Sequence, residues 1–454
     1  MSTFSVGYAE VNINPKLGIG ISGYYISRLA KGFLDDLQAS CLALSLGDTK
    51  VLLMNVDHLG LKNAVSERCR RNIAAATGIP FENLFLTCTH THTAPLADTE
   101  LFCYGEEKDV HEYADFLCQR LVDVAQLAIN DLKPGKMGYC TGYAPERVAY
   151  IRRYKMKDGT TMTCPPVDDP TIDYPIGTLD QRVHVLRFDQ AGGQSIVLVN
   201  YGVHCDTIGG ELISADFPAW LRSTLDKALD GVKCMFFPGA QGDVGSTNVH
   251  PSGGDMNDTE ISFDNEMKSP GMARFVGRAL AGTVLQVYDK VTYVEVDKLT
   301  ALQKIIKIPS NMPDSKDLPL AHKYKELHEA GKDEEIPFTA MELTTVVAEA
   351  LRMCVLEHGP EYFDLPLTGI QLGPVALLGI PGEPFTEIGV GIKEAPGWDM
   401  ILPCGLTNGY MGYFPTKSAF DEGGYEARTS RYKAGVAEIL IEESKLMLSE
   451  LRNK

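Results

Sequence analysis

Short apolar runs alternate with amphipathic stretches along most of the chain. "CLALSLG" from Cys41 and "KVLLMNVDHLG" from Lys50 are apolar and rich in branched residues, which predicts two strands. Apolar positions then recur at helical spacing from Asn63 to about Thr77, and Gly78 closes that helix. "NLFLTCTH" reads as the next strand, and a second helix is expected from about Val110 to Leu132, stopped by Pro134 and Gly135. "RVHVLRFD" from Arg182 and "QSIVLVNYGVH" from Gln194 read as neighbouring strands joined by "QAGG". A helix starts at Asp216, with Pro218 in its first turn, Leu221, Leu225 and Leu229 at helical spacing and Gly231 as its stop. "VKCMFFPGAQGDVG" and "PVALLGIPGEPF" are buried strands running into loops. The charged stretch from Pro313 to Glu335 predicts an exposed helical arm or insertion. A last helix is expected from about Arg428, with Val436, Ile439, Leu440, Met447 and Leu451 on its apolar face. Strands alternating with helices imply an α/β fold, a mixed sheet core with flanking helices. With no internal repeat and no low-complexity linker, a single domain over residues 1–454 is the simplest expectation.

Composition narrows the setting. Hydrophobic residues make up 44% and charged residues 22%, as in a globular protein. The net charge of -18 is a poor match for nucleic-acid phosphates or an anionic membrane leaflet. The 11 cysteines are scattered and form no CxxC pair, which reads as buried free thiols in a reducing compartment. The N-terminus "MSTFSVGYAEVNINPK" has no basic start followed by an apolar run, and no stretch of ~18 apolar residues occurs. The expectation is a soluble cytoplasmic protein without a signal peptide or a transmembrane segment.

Four strand-to-loop junctions carry reactive residues: His90 and His92 in "FLTCTHTHTAP", His204, the loop around Asp243, and Glu383. Loops delivered to one edge of an open sheet are where α/β sites form. Residues i and i+2 of a strand share a face, so His90 and His92 are expected to enter one cavity. Imidazole nitrogens suit zinc, and a carboxylate from elsewhere completes an N,N,O set with an open position. The bland readings differ from site to site. His184 inside an apolar strand reads as a core residue, "GDVG" alone as a turn, and Glu383 as the start of a helix, where an acid is favoured.

Taken together, the segments resemble a known family. "THTHTAP" from Thr89 is similar to the THTHSGP motif of neutral (alkaline, non-lysosomal) ceramidases. "NYGVHCDTIGGELISADFPAW", "GAQGDVGSTN", "GIPGEPFTEIG" and "NGYMGYFPTKSAFDEGGYEA" resemble later family segments in the same order, as does the opening "VGYAEVNINPKLGIGISGY". The resemblance covers most of the chain and implies the catalytic domain of that family. It places zinc on His90, His204, Glu383 and Tyr413, the last being the second tyrosine of "YMGY". It gives His92 an oxyanion role and makes Tyr425 an active-site tyrosine. It also implies a substrate-positioning arginine in "YIRRY", Arg152 in preference to Arg153, and puts Asp243 and Ser246 in the loop on the substrate side.

The departures from the pattern are equally specific. The family's proposed serine nucleophile follows G-D-V directly, where this chain has Gly245, and Ser246 stands one place later. Thr93 and Ala94 replace Ser-Gly of the histidine motif, and the family's C-terminal immunoglobulin-like domain has no counterpart. These differences point away from serine catalysis and from ceramide. The expectation is a zinc-dependent hydrolase of an amide, or less readily an ester, acting on a small molecule by activated water. Its proton acceptor is left open between a second carboxylate and Tyr425. Two other readings are a two-metal phosphoesterase or sugar-acting hydrolase, for which Asp57 and Asp206 are the candidate bridging acids, and a non-catalytic metal-containing binding protein.

Overall fold

A computed structural model of the chain describes residues 3–99, 105–251 and 268–454. Among these, a nine-stranded sheet has the spatial order Lys233–Pro238, Ser195–Tyr201, Arg182–Gln190, Lys133–Tyr143, Ser5–Asn12, Gln38–Leu46, Thr49–Val56 and Leu84–Cys88, with Thr292–Val294 also paired to Lys133–Tyr143. A four-stranded sheet follows the order Leu299–Pro309, Tyr362–Leu372, Val375–Gly379 and Met400–Cys404. Most pairs are antiparallel. Within these two sheets three are parallel: Thr49–Val56 with Leu84–Cys88, Ser195–Tyr201 with Lys233–Pro238, and Val375–Gly379 with Met400–Cys404. The mixed α/β class is as expected.

The helices are α1 Asn63–Thr77, α2 Glu107–Asn130, α3 Phe217–Ala228, α4 Pro270–Val287, α5 Leu318–Glu329, α6 Ala340–Leu356, α7 Thr386–Lys393, α8 Lys417–Glu422, α9 Tyr425–Thr429 and α10 Val436–Asn453. α1 and α2 cover one face of the large sheet through Cys69, Ile73, Leu117, Leu121 and Val124. α3 and α4 pack together on another part through Leu221, Leu225, Val276 and Leu280. The two sheets face each other across a core containing Phe85, Phe237, Leu377 and Leu402, with Phe85 and Phe237 stacked at 6.0 Å. α7 and α10 cover the other face of the small sheet, where Ile388, Ile392, Leu440 and Met447 are buried.

Local signals account for several boundaries. Gly78 closes α1 in a left-handed conformation, φ +71°, which a residue without Cβ adopts freely. Asp216 caps α3 by accepting from Phe217 N, and Pro218 occupies the first turn where its missing N–H costs nothing. Other boundaries differ from the sequence pattern. α2 ends at Asn130, and Pro134 and Gly135 lie inside the strand Lys133–Tyr143, where Pro134 pairs with Ser5. The expected final helix divides in two: α9 is separate, and α10 begins only after Gly435 at φ +104°. The charged stretch does form a helix, and in α5 Ala321 is the buried residue. It is nevertheless half of a hairpin with α6, closed around Ile336, Val346, Val347 and Leu351.

The expectation that all cysteines are free is corrected. Cys69 of α1 and Cys118 of α2 form a disulfide with a Cα–Cα distance of 4.8 Å. They are 49 residues apart, so linear spacing carried no hint of the pair; the packing of the two helices creates it. Among the described residues the other cysteines are free.

Candidate metal and active site

Each candidate ligand leaves the C-terminal end of one of the three parallel pairs. Leu84–Cys88 leads to His90, Ser195–Tyr201 to His204 with Lys233–Pro238 leading to Asp243, and Val375–Gly379 to Glu383. Buried asparagines tie these ends together. Asn55 Nδ2 donates to Phe236 O (2.7 Å), and Asn200 Nδ2 donates to Phe237 O and Pro403 O (both 3.0 Å). Asn408 Nδ2 donates to Leu84 O (3.0 Å) while its Oδ1 accepts from Leu86 N (2.9 Å). The short parallel bridge Glu383–Pro384 with Tyr413–Phe414 sets Glu383 directly opposite Tyr413. A second short pair, Val244–Gly245 with Tyr150–Ile151, brings Arg152 against the "GDVG" loop, where Arg152 N donates to Asp243 O (3.1 Å). Close packing sets residue size here: a Cβ on Gly242 would lie 2.6 Å from Glu383 O.

His90 and His92 do come together, with Nε2 atoms 3.4 Å apart, but strand alternation is not the cause. The strand ends at Cys88, and His90 takes the left-handed region at φ +74°, where a residue with a Cβ is strained. The conformation is held by His90 N donating to His58 O (2.9 Å), and it turns the ring toward His204.

The positions of the ring protons on these candidate ligands follow from their backbone partners. His90 Nδ1 lies 2.6 Å from Leu59 O, and His204 Nδ1 lies 2.8 Å from Gln241 O and 2.9 Å from Val244 O. A carbonyl only accepts, so both Nδ1 atoms carry a proton and both Nε2 atoms are left facing the cavity, that of His204 also accepting from Arg152 Nη1 at 3.1 Å. Burial, aided by the Arg152 charge, pushes the His204 pKa down to about 4, so the ring is neutral near pH 7. Both Nε2 atoms point at the same carboxylate oxygen: Glu383 Oε2 is 3.1 Å from His90 Nε2 and 2.9 Å from His204 Nε2. That oxygen is buried without a hydrogen-bond donor. Three converging acceptors repel one another unless a cation sits among them, so the donor set fits a metal ion. The ligand nitrogens of His90, His92 and His204 lie within 4.8 Å of one another, and this buried triad can hold a metal.

The surrounding groups add charge and phenols. Arg152 Nη1 is 3.1 Å from His204 Nε2, Nη2 donates to Gly242 O (2.8 Å), and Nε is 2.7 Å from the carboxylate of Glu426. Tyr410 OH donates to Glu383 Oε1 (2.9 Å). Tyr413 is buried, with its ring 5.6 Å from that of Tyr425 and 5.4 Å from the Arg152 guanidinium carbon. Burial first, then the neighbouring Tyr25 and Tyr413, raises the Tyr425 pKa well above the usual value, so it stays a phenol; Tyr25 and Tyr425 are hydrogen-bonded. On the other side Asp206 lies 3.7 Å from His92 Nδ1, accepting from Tyr24 OH (2.7 Å) and pairing with Lys268 (3.1 Å).

The structure thus gathers His90, His92, His204, Glu383, Tyr413, Tyr425 and Arg152. Arg153 turns elsewhere: it is buried and donates to Glu422 and Gly423 O, each at 3.0 Å. The Asp243 carboxylate accepts from Thr386 N (2.8 Å) and Thr386 Oγ1 (2.9 Å), which anchors the loop to α7. Ser246 is buried but takes no part, among the described residues, in the hydrogen bonds that build the cluster. Sequence reasoning missed Glu426, Tyr410, Tyr24, Tyr25 and Lys268. Tyr410 carried a signal as the first tyrosine of "YMGY", Glu426 as the residue after Tyr425, and Tyr24 as the end of "GIGISGY".

Parallel strand pairs feeding one histidine-rich edge define an α/β protein with a metal-competent site. Two solved structures share its architecture. One, neutral ceramidase from Pseudomonas aeruginosa, superposes with a TM-score of 0.71 at 17% identity, covering 100% of this chain and 75% of that one. The other, a ceramidase complexed with C2, superposes with a TM-score of 0.71 at 18% identity, covering 99% of this chain and 76% of that one. No family model matches the sequence, and no curated protein matches it either. The chain has the ceramidase fold. No helix among the described residues is long and apolar enough to cross a membrane.

Proposed function

We propose that the protein is a zinc-dependent hydrolase of an N-acyl (amide) bond, acting as a single catalytic unit on a small soluble substrate. One observation carries the reading: the Nε2 atoms of His90 and His204 converge on the donorless Oε2 of Glu383. His90, His204, Glu383 and Tyr413 would hold the ion, with Tyr413 brought beside Glu383 by their register. A phenol ligand is deprotonated, so that role draws on the charge of the cation. Bound there, zinc supplies Lewis acidity that polarises a carbonyl and lowers the pKa of water from ~16 toward ~7.

The chain's own groups divide the remaining work. His92 and the Tyr425 phenol flank the cluster and stabilise the developing oxyanion, at roughly 3 kcal/mol for a well-placed donor. Arg152, fixed by Glu426 and Gly242 O, anchors a polar or anionic substrate group. Asp243 holds its loop against α7 through Thr386. The two-metal alternative loses a bridging acid: Asp57 receives both nitrogens of Arg222 (3.0 and 2.7 Å) and also Gln38 N (2.8 Å).

The test is metal content together with turnover. Purified protein should carry about one zinc per chain and lose amide hydrolysis on chelation. His90→Ala and His204→Ala should each cut zinc content sharply. Full zinc occupancy in both variants overturns the assignment.

A further inference from the structure

We propose that the α5–α6 hairpin is a positioning device for the site, acting through a latch between Arg428 and the α6 carboxylates Glu342 and Glu349. Arg428 Nη1 is 2.7 Å from Glu342 Oε1, while its Nε and Nη2 reach Glu349 Oε2 at 2.9 and 2.6 Å. Arg352, also on α6, donates from Nε to Arg428 O (2.8 Å) and from Nη1 to Asn311 O (2.7 Å). Both the side chain and the carbonyl of Arg428 are therefore gripped by one helix.

Arg428 belongs to α9, only five residues long, which a turn of this length cannot stabilise alone. The same turn carries Tyr425 and Glu426. Glu426 is fully buried, accepts from Thr163 Oγ1 (2.7 Å) and pairs with Arg152 at 2.7 Å. Tyr425 reaches the hairpin by a second route: it is hydrogen-bonded to Tyr25, whose ring packs on the cluster of Ile336, Val346, Val347 and Leu351. The hairpin thus holds the active-site phenol from two sides and, through Glu426, sets where Arg152 stands. Its charged outer face in α5 is solvated, while the latch is on the inner helix.

This inference rests on the reading that Tyr425 and Arg152 serve the reaction, and the experiment separates the two. Glu342→Gln with Glu349→Gln removes the latch charges without emptying the space. Roughly tenfold to hundredfold lower kcat, with KM and zinc content little changed, is expected from misplacement of a reacting group. Arg428→Lys, which keeps one ion pair, should recover part of the loss relative to Arg428→Ala. Independently of turnover, 3-fluorotyrosine placed at position 425 should give a sharp 19F resonance that shifts or broadens in the double Gln variant. A shifted resonance in a protein without amidase activity keeps the latch and overturns the proposed reaction. An unchanged resonance and unchanged kcat, even with lowered thermal stability, overturns the latch.

Discussion

His90 and His204 are fixed through the nitrogen that faces away from the cavity, and this decides what the other nitrogen can do. Backbone carbonyls take the Nδ1 protons, so the lone pairs are committed to the cavity before any ion arrives. The same scale bears on the displaced serine. Ser246 stands outside the hydrogen bonds of the cluster, whereas Tyr425 stands beside Tyr413. Ser246→Ala should therefore keep most of the activity and Tyr425→Phe should lose on the order of a hundredfold in kcat. Steady-state kinetics check this, and an acyl group trapped on Ser246 would establish nucleophilic catalysis instead. His184 offers a test unconnected to the metal. It is buried, with Thr141 Oγ1 3.0 Å from its Nδ1, and burial pushes its pKa down to about 3. The unfolded chain takes up a proton near pH 6.5 that the folded chain declines. This group therefore removes stability as pH falls from about 6.5 toward 3, by up to ~1.4 kcal/mol per pH unit. Urea unfolding of His184→Gln should show a weaker loss between pH 6.5 and 4 than the parent; equal slopes refute the attribution. At this scale the candidate ligand types were legible in "THTHTAP" and "PGEPF", but their tautomers were not, because Leu59, Gln241 and Val244 contribute only backbone atoms.

Elements matter here for how their ends are joined. Asn55, Asn200 and Asn408 are buried side chains that donate to backbone carbonyls of strands packed against them. Asn200 links the large sheet to Pro403 of the small one. Asn200→Ala should remove the hydrogen bonds to both carbonyls and cost about 2–4 kcal/mol in chemical denaturation. A change below about 0.5 kcal/mol would show that the sheets are held by Phe85, Phe237 and their apolar neighbours alone. The strands and helices with strong local signals, such as α1, α3 and the strand after Lys233, were legible because apolar periodicity and caps agree there. The helix expected from Arg428 begins later because its apolar face starts only at Val436, directly after Gly435 in a left-handed conformation that periodicity does not register. The disulfide between α1 and α2 was invisible for a different reason: it depends on which helices pack together.

Considered whole, the molecule sets its charge and its site apart. The chain carries a net charge of -18, while the candidate metal site is flanked by Tyr24, Tyr410 and Tyr413. An acidic surface does not favour extraction of a lipid from an anionic leaflet, where each Lys or Arg contributes about 1 kcal/mol. A short N-acyl amino compound should accordingly be hydrolysed faster than ceramide presented in vesicles. Leu17, Ile26 and Leu29 are exposed on the segment around Tyr24, and vesicle binding through them with rapid ceramide turnover would reverse this expectation.

The sequence by itself determined the α/β class, the strand-to-loop junctions and the residue types that arrive there. Each of these follows from local periodicity, caps and side-chain chemistry within a short window. Tertiary structure alone decided that Glu383 Oε2 meets the Nε2 atoms of His90 and His204, that Arg152 and not Arg153 joins them, and that α6 grips the turn carrying Tyr425. Those outcomes depend on chain segments separated by up to hundreds of residues. The protons, charges and distances involved are set by whichever backbone happens to lie behind each side chain, and no local window contains that information.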